Sequence, residues 1–282
     1  MIEVLTAGPL GTVQDLGREG LAHLGVGRSG AADRPAAALA NRLVGNPGSA
    51  AVLELTLGGL HVRLERGVLA ALTGAPCPVT VSGRAVGSHA PFWVHAGEQL
   101  RVGAPVRGLR SYLAVRGGVA VEPVLRSRST DLLSGLGPPP LAPGMVLPIG
   151  EDRLDWPAAD LAPQAELPEV PTLSVLPGPR LDWFAADALR VLCARPYVVS
   201  GDSNRIGVRL TGAALPRLVE RQLPSEAVVS GAVQVPPSGQ PIVFLADHPV
   251  TGGYPVIGVV DEVPAAAQVR PGQQVRFRVA KP

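Results

Sequence analysis

The sequence contains few cysteines, few aromatic residues and almost no lysine. Two of its 282 residues are cysteines, 4% are aromatic, and Lys281 is the only lysine. Cys77 and Cys193 are far apart and have no Cys or His nearby at a metal-ligand spacing. We therefore expect two reduced core thiols, and neither a disulfide framework nor a metal site. The core must be built mostly from Val, Leu and Ala.

Long apolar runs and strong charge are also missing. No apolar stretch approaches the roughly 20 residues that span a bilayer, and Met1–Val4 lacks the basic start and apolar run of a signal peptide. We expect a soluble, cytoplasmic protein without a membrane partner. The 25 basic and 23 acidic residues are spread along the chain. No basic stripe with interleaved aromatic residues is present, so nucleic-acid binding is not expected.

Glycine and proline, by contrast, are abundant. The 34 Gly and 30 Pro residues separate many short runs of alternating polarity, which is typical of an all-β architecture. The clearest case is Leu53–Leu57, Gly58-Gly59 and Leu60–Glu65, which predicts a hairpin with a tight Gly-Gly turn. Further strands are expected at Val68–Thr73, Val79–Ser82, Phe92–His95, Gln99–Val102, Ser111–Arg116, Leu173–Leu176, Tyr197–Ser200, Val228–Val235, Ile242–Ala246, Val256–Val260 and Gln274–Val279.

Two helices interrupt the predicted strands. The first begins after Asp33, a good N-cap, with Pro35 in its first turn and Gly45 as its stop. The second is predicted at Leu181–Cys193, because apolar residues recur there at helical spacing.

The length suggests two domains, at roughly 150 residues each. We predict a mainly β protein with a first lobe at 1–155, a proline-rich linker at 156–171 and a second lobe at 172–282. Each lobe is expected to carry about one helix beside a β-barrel or sandwich.

Two polar segments in the first lobe are candidates for a binding site. One contains Gln14, Asp15 and Arg18, followed by Ser29 before the first helix; helix N-termini offer free amides to anions. The other is 125–131, with two arginines and three hydroxyl groups. In both, the polar side chains could equally satisfy one another within a turn.

Two further polar segments lie in the second lobe. In 200–209, Ser203 and Asn204 precede Arg205 and Arg209, which would share one face of an extended chain and could clamp a carboxylate. A structural turn is the alternative. The stretch from 225 to 255 is the richest, and its candidate site residues are Ser225, Glu226, Gln234, Asp247, His248, Thr251, Gly252, Gly253 and Tyr254.

Within that richest stretch, Asp247 could orient His248 for proton transfer, although a histidine in a turn is often only structural. Common catalytic patterns, namely a P-loop, a GxSxG elbow and an HExxH motif, are missing.

Taken together and in this order, the segments resemble one family. The matching runs are TVQDLGREG, GVGRSGAAD, ANRLVGN, RSYLAVRGG, LRSRSTDLLSGLG, GDSNRIGVRL, SEAVVSGAVQVPPSGQPIVFLADHPVTGGYPVIGVV and AQVRPGQQVRF. They extend over nearly the whole chain. The family is known as the 5-oxoprolinase C subunit, KipA or allophanate hydrolase subunit 2, and it belongs with the biotin-dependent carboxyltransferase-like proteins.

The resemblance implies two cyclophilin-like β-barrel lobes and two kinds of partner subunit, one KipI-like and one LamB/YcsF-like. Such assemblies cleave 5-oxo-L-proline to L-glutamate using ATP, so ATP is expected at the level of the complex. Related carboxyltransferase domains move a carboxyl group from biotin to urea. This chain has no Met-Lys-Met motif, so we expect no covalent biotin on it.

Combining the resemblance with residue chemistry gives a hypothesis for the site. Arg205 and Arg209 would hold the substrate carboxylate or a phosphate, and His248 would transfer a proton. Asp247, Glu226 and Asn204 would orient these groups. Gly252 and Gly253 would donate backbone N–H groups to the developing oxyanion; the other polar residues named above would line the substrate site.

Three alternative functions remain open: carboxyl transfer from carboxybiotin, a KipA-type antagonist of a kinase inhibitor, and binding of proline peptides. The chain also departs from the family pattern. Pro249 and Val250 replace a Gln-Thr pair, which weakens any role assigned to those positions. Ile206 stands where Met is usual, and Ala227 stands where Gly is common.

Overall fold

The computed structural model describes residues 1–157 and 159–280 of the chain. These residues cluster into two units, the first comprising 1–18, 29–131 and 135–166, and the second 19–28, 132–134 and 167–280. The predicted division at 1–155, 156–171 and 172–282 stays a prediction, and residues 158, 281 and 282 within it lie outside the described residues. No helix in the described ranges is long and apolar enough to cross a membrane.

The described part of the first unit consists of two large antiparallel sheets, a third sheet of two strands and one α-helix. Its helix is α1 (Arg34–Leu43). Its strands are β1 (Ile2–Ala7), β2 (Leu10–Gln14), β3 (Val52–Thr56), β4 (Leu60–Leu64), β5 (Val68–Gly74), β6 (Val79–Val81), β7 (Arg84–Val86), β8 (Pro91–Val94), β9 (Gln99–Val102), β10 (Arg110–Val115), β11 (Gly117–Val119), β12 (Val146–Leu147) and β13 (Ile149–Asp152).

One sheet has the order β12-β1-β4-β9-β6-β7 and the other the order β2-β3-β10-β5-β8, while β11 pairs with β13. Strand β5 shows how the layers pack. Its alternate residues Val68, Ala70 and Leu72 enter the core between the two sheets, whereas Leu69 and Ala71 pack under α1. A strand that is buried on both faces is mostly apolar, and this explains the apolar run Val68–Leu72 of β5.

The prediction of a hairpin at 53–65 is wrong. β3 pairs with β2 and β10, whereas β4 pairs with β1 and β9. Leu57, Gly58 and Gly59 all have positive φ, between 60° and 81°, and carry the chain from one sheet to the other. A side chain at Gly58 would lie 2.0 Å from the Gly103 carbonyl oxygen. Both arms still send their apolar residues into one core, which is why the pattern resembled a hairpin.

The prediction for α1 is confirmed at its start. The Asp33 side chain accepts a hydrogen bond from the Ala36 N–H at 3.0 Å, and a proline occupies the first turn. The helix covers the sheet face that carries Glu54 and Tyr112. Glu54 accepts hydrogen bonds from the Tyr112 hydroxyl and from the Ala32 N–H, both at 2.9 Å. Burial and the Glu54 charge raise the pKa of Tyr112 well above its usual value.

The second unit is a closed seven-stranded barrel with the order β14-β21-β18-β19-β16-β15-β22. A parallel pairing of β14 with β22 closes the ring. Two short strands, β17 and β20, pair beside it. The strands are β14 (Thr172–Pro177), β15 (Tyr197–Val199), β16 (Gly207–Thr211), β17 (Glu226–Ala227), β18 (Ala232–Gln234), β19 (Ile242–Phe244), β20 (Thr251–Gly252), β21 (Val256–Val260) and β22 (Gln274–Val279). The expected mainly β class is confirmed.

The helices of this unit differ from the prediction. The expected helix at 181–193 is split into a 3-10 turn at Leu181–Trp183 and α2 (Ala188–Ala194). Phe184 is extended and forms a β-bridge with Arg217, so its backbone bonds there instead of continuing the helix. A further helix, α3 (Val263–Ala267), was not predicted. Another 3-10 turn lies at Ala22–Leu24.

The predicted strand at 228–235 is shortened. Gly231 has a φ of 85°, which interrupts the extended chain, and only Ala232–Gln234 joins the barrel.

Part of the predicted linker packs on the first unit. The Ala162 N–H donates to the His89 carbonyl oxygen at 2.8 Å, and Gln164 Nε2 donates to the Gly74 carbonyl oxygen at 3.3 Å. His89 itself is 5% exposed. Burial lowers the pKa of His89 below its usual 6.5, an effect that a hydrogen bond to the Gly74 backbone opposes only in part.

This lowered pKa predicts a loss of stability in acid. Since the unfolded chain protonates His89 more readily than the folded chain, the unfolding free energy falls as pH drops below about 6.5. His89→Asn tolerates the positive φ of 59° and should reduce the difference in urea midpoint between pH 7.5 and pH 5.5. His23→Asn, at an exposed position, is the control. A difference that His89→Asn leaves unchanged would contradict this assignment.

Candidate functional site

The second unit contains a cavity of about 360 Å³ on the outer face of the barrel. Ligand pockets typically measure about 300–1,000 Å³, so this one suits a small ligand. It brings together four residues that the sequence nominated and five that it did not. The lining residues are Asn204, Ile206, Gly207, Arg209, Gln234, Pro236, Ile242, Phe244 and Tyr254.

The barrel pairing explains why these side chains meet. Ile242 of β19 lies opposite Arg209 of β16 on one side and Gln234 of β18 on the other. Directly paired residues of neighbouring strands point to the same face. Arg209, Ile242 and Gln234 therefore form one row across three strands. Gly207 and Phe244 form the next row, and the missing side chain at Gly207 leaves room above the sheet.

The loop before β16 presents the polar end of the cavity. The Asn204 Oδ1 atom accepts the N–H groups of Ile206 at 2.8 Å and Gly207 at 3.3 Å, so the side-chain amide is held by its oxygen and its Nδ2 donors remain for a ligand. Ser203 Oγ accepts the Arg209 N–H at 3.0 Å. The Arg209 guanidinium is exposed and has no ion pair among residues 1–157 and 159–280. It is a cation that a bound carboxylate could neutralise.

Gln234 fixes the opposite end of the cavity. It is 4% exposed, and its Nε2 donates to the Tyr254 carbonyl oxygen at 3.0 Å. A side chain at Gly252 would lie 2.5 Å from this nitrogen. The close approach of Gln234 therefore requires a glycine at position 252. This requirement is independent of the predicted role of the Gly252 N–H as a donor to the oxyanion.

The predicted clamp of Arg205 and Arg209 is not formed. Arg205 is 1% exposed, and its Nε and Nη2 atoms donate to the two carboxylate oxygens of Asp247, each at 2.9 Å. The Leu132 N–H also donates to Asp247, at 3.1 Å. Strand β16 begins only at Gly207, so the extended geometry that would align both arginines does not reach Arg205. Asp247 accordingly binds Arg205, a contact that the sequence pattern did not indicate.

His248 lies beside the cavity wall. Its Nδ1 is 2.7 Å from the Pro249 carbonyl oxygen, which can only accept, so Nδ1 carries the proton and the neutral ring has its lone pair on Nε2. The ring is tilted against Phe244 with 6.1 Å between centroids, and Phe244 lines the cavity. Proton transfer by His248 stays a prediction, with Nε2 as the atom concerned.

Glu226 forms an ion pair with a residue that the sequence analysis missed. Arg180 Nε donates to one Glu226 oxygen at 2.9 Å, and Arg180 Nη2 contacts the other. Glu226 also pairs with Gly252 through β17 and β20. The Arg180 fork therefore anchors the short sheet beside Gln234. The sequence signal for Arg180 was its place in the turn at 178–180, which follows β14, but a single arginine in a turn is a weak indication of a functional contact.

The remaining predicted residues of this stretch, Ser225, Thr251 and Gly253, are exposed or partly exposed and do not line the cavity. Thr251 pairs with Ala227 in the β17–β20 ladder. Their roles as substrate contacts stay predictions.

In the first unit, both candidate segments join in one network around Asp15. One carboxylate oxygen accepts from Ser127 Oγ and Ser129 Oγ, each at 2.6 Å, and from the Gly17 N–H at 2.8 Å. The other accepts the Arg128 N–H at 2.6 Å. Four donors within this unit thus use the Asp15 carboxylate, which holds the 124–130 loop.

The other three predicted residues bind the same loop. Arg18 donates to the carbonyl oxygens of Val124 and Ser129 at 3.2 and 2.7 Å. Gln14 Nε2 and Ser29 Oγ both donate to the Thr130 carbonyl oxygen, at 2.9 and 3.1 Å. All three are at most 2% exposed. The turn-stabilising alternative accounts for every one of these contacts, and substrate binding by these residues stays a prediction.

Known proteins resemble this chain in sequence over nearly its whole length. A family model described as "Carboxyltransferase domain, subdomain A and B" matches residues 24–279. The 5-oxoprolinase C subunit of Escherichia coli (strain K12) is 40% identical, over 98% of this chain and 90% of that protein.

Solved structures agree with these matches. The crystal structure of TTHA0988 has a TM-score of 0.90 at 39% identity, covering 98% of this chain and 55% of that one. The Kluyveromyces lactis urea carboxylase has a TM-score of 0.92 at 28% identity, covering 99% of this chain and 27% of that one. The chain thus spans about half of TTHA0988 and a smaller part of the urea carboxylase.

The buried ion pair predicts a strong effect of Arg205 on folding. Arg205→Ala would leave the Asp247 carboxylate buried without its counter-ion and should cost about 3–5 kcal/mol of unfolding free energy. Arg209→Ala, at an exposed position, should change stability by less than about 0.5 kcal/mol. Urea denaturation measures both. Equal stabilities of the two variants would show that the pair does not hold this loop.

Proposed function

We propose a function from one established premise: the chain belongs to the family of carboxyltransferase domains with subdomains A and B. It is homologous to the 5-oxoprolinase C subunit, and more distantly related to urea carboxylase. Our proposal is that it is a subunit of an ATP-dependent 5-oxoprolinase that hydrolyses 5-oxo-L-proline to L-glutamate. It would act in the cytoplasm with two partner subunits, one KipI-like and one LamB/YcsF-like.

The row of Arg209, Ile242 and Gln234 carries this proposal. 5-Oxo-L-proline has one carboxylate, one lactam amide and two ring methylene groups. The unpaired Arg209 guanidinium suits the carboxylate, for which its planar fork can donate two parallel hydrogen bonds. The apolar floor of Ile242 and Phe244 suits the methylene groups. The cavity therefore supplies a cation and an apolar surface to a small lactam acid.

The amide side chains would orient the lactam. Asn204 is held through its oxygen, so its Nδ2 can donate to the ring carbonyl oxygen. Because this carbonyl develops negative charge when it is attacked, a preformed donor stabilises the transition state more than the ground state. Gln234 is fixed by Tyr254 and would limit the depth to which the ring enters.

Hydrolysis requires three changes at the lactam. Water adds its oxygen to the ring carbonyl carbon, the carbon–nitrogen bond breaks, and the departing nitrogen takes up a proton. His248 could accept the proton of the water and return it to the nitrogen. A lactam carbonyl is a poor electrophile, and ATP in the complex would activate it by phosphorylation of the carbonyl oxygen, with release of ADP. Ring opening would then give an acyl phosphate, from which a second water would release phosphate to leave the carboxylate of L-glutamate.

Substitution of Arg209 tests the assigned cavity. Arg209→Ala removes a charge-assisted hydrogen bond worth about 1.5–3 kcal/mol, so kcat/KM for 5-oxo-L-proline should fall by about 10–100-fold. The assay is ATP-dependent glutamate release by this chain co-expressed with its two expected partners. Arg276→Ala, an exposed arginine of β22, is the matched control and should keep full activity.

The same assay separates the alternatives. Loss of glutamate release on omission of this chain, together with a defect in Arg209→Ala alone, supports the proposal. Full activity of Arg209→Ala would reject the cavity as the substrate site. A soluble, assembled complex that releases no glutamate would reject the oxoprolinase function, and dependence on a biotin carrier protein would then favour carboxyl transfer to urea.

A further inference from the structure

The first unit contains a concavity that is larger than the lactam cavity and is lined by residues to which the proposed function assigns no role. Its volume is about 880 Å³, and it lies where the C-terminal end of α1 meets residues 153–157. Three of its eight lining residues are arginines and one is acidic. The lining residues are Arg42, Gly45, Asn46, Arg116, Arg153, Leu154, Asp155 and Pro157.

Arg116 is fixed in the wall of this concavity. Its Nη1 donates to the carbonyl oxygens of Val44 and Gly45, at 2.8 and 3.2 Å. Its Nη2 donates to the Leu154 carbonyl oxygen at 2.7 Å, and its guanidinium lies 4.2 Å from the ring centroid of Trp156. Carbonyl groups at a helix C-terminus repel anions. Because Arg116 occupies these carbonyls, their repulsion is largely offset.

The other two arginines are available to a ligand. Arg42 and Arg153 are exposed, and within residues 1–157 and 159–280 neither side chain has an ion-pair or hydrogen-bond partner. Arg42 lies in the last turn of α1, where a cation also favours the helix dipole. The helix dipole explains the position of Arg42, but it does not explain why Arg153 lies in the same concavity. Asp155 is the single opposing carboxylate.

The charge of the concavity is therefore strongly positive. Three arginines and one aspartate line it, and a bound anion would offset the mutual repulsion of the arginines. Guanidinium groups match the oxygens of phosphate and carboxylate in a planar fork. Since one water takes about 30 Å³ of liquid volume, the concavity has room for a ligand with several oxyanion groups.

We propose that this concavity is a binding site for a small molecule with two or more linked phosphate groups, contacted by Arg42 and Arg153 and positioned by Arg116. The residues that line this concavity all belong to the first unit and those of the lactam cavity to the second, so separate variants test the two sites. Arg42 and Arg153 would each make a charge-assisted contact with the ligand. Removal of both should weaken binding at least about 100-fold.

The test is isothermal titration calorimetry of the full chain with inorganic pyrophosphate, ATP and citrate as separate probes, at low ionic strength. We expect pyrophosphate and ATP to bind with similar affinity, and the affinity to fall as salt is added. In the double variant Arg42→Ala/Arg153→Ala, both affinities should fall at least about 100-fold. The control is Arg84→Ala/Arg101→Ala, which removes the same charge from exposed positions of the same unit.

Several results would overturn the proposal. One is an absence of binding by pyrophosphate and ATP to a folded chain. Another is an equal loss of affinity in both double variants, which would indicate attraction by overall charge without a site. Binding of citrate in preference to pyrophosphate would replace the phosphate ligand by a polycarboxylate. Glutamate release in the reconstituted complex reports on the lactam cavity separately, so failure of either proposal leaves the other testable.

Discussion

Arg205 and Asp247 form a bidentate ion pair that is almost completely buried in the second unit. Two such charges are stable away from water only when each satisfies the other and the remaining lone pairs find donors, and here the Leu132 N–H supplies one. Their backbones are also joined, since the Asp247 N–H donates to the Arg205 carbonyl oxygen at 3.0 Å. The pair therefore fixes the loop that leads into β16 against the loop that leaves β19.

The geometry of the cavity depends on this arrangement. Asn204 and Ile206, which flank Arg205 in sequence, line the cavity, and so does Phe244, three residues before Asp247. A charged pair below the surface thus places an amide and two apolar side chains that a ligand can touch. One short segment does both, since Arg205 is buried whereas Asn204 is exposed and Ile206 is partly exposed. Arg205 points inward and its neighbours point outward.

Much of the fold followed from the sequence. The positions of most strands, the Asp33 cap and the apolar stripe of α1 depend on neighbouring residues, and local patterns report them well. The pairing of strands does not. β3 and β4 have the alternation and the glycines of a hairpin, yet each pairs with distant strands, and two sheets that share one core satisfy the same pattern. The split of the 181–193 helix likewise depends on Arg217, a distant partner.

For the site, the sequence selected the right segments but could not assign their members. The density of polar residues in the sequence could not separate buried from exposed candidates, because burial cannot be read from residue type. The candidates included Arg205, Asp247, Asp15 and Gln14, together with Arg209 and Asn204. In the fold, the first four are at most 1% exposed or held by several donors, and they bind other parts of the chain. Arg209 and Asn204 keep donors that face the cavity. The side of a strand or loop on which a polar residue lies thus decides its role. Residues on the inner side hold the shape of the site, and residues on the outer side can contact a ligand. Arg205 lies two residues before β16 and is buried, whereas Arg209 lies within β16 and is exposed.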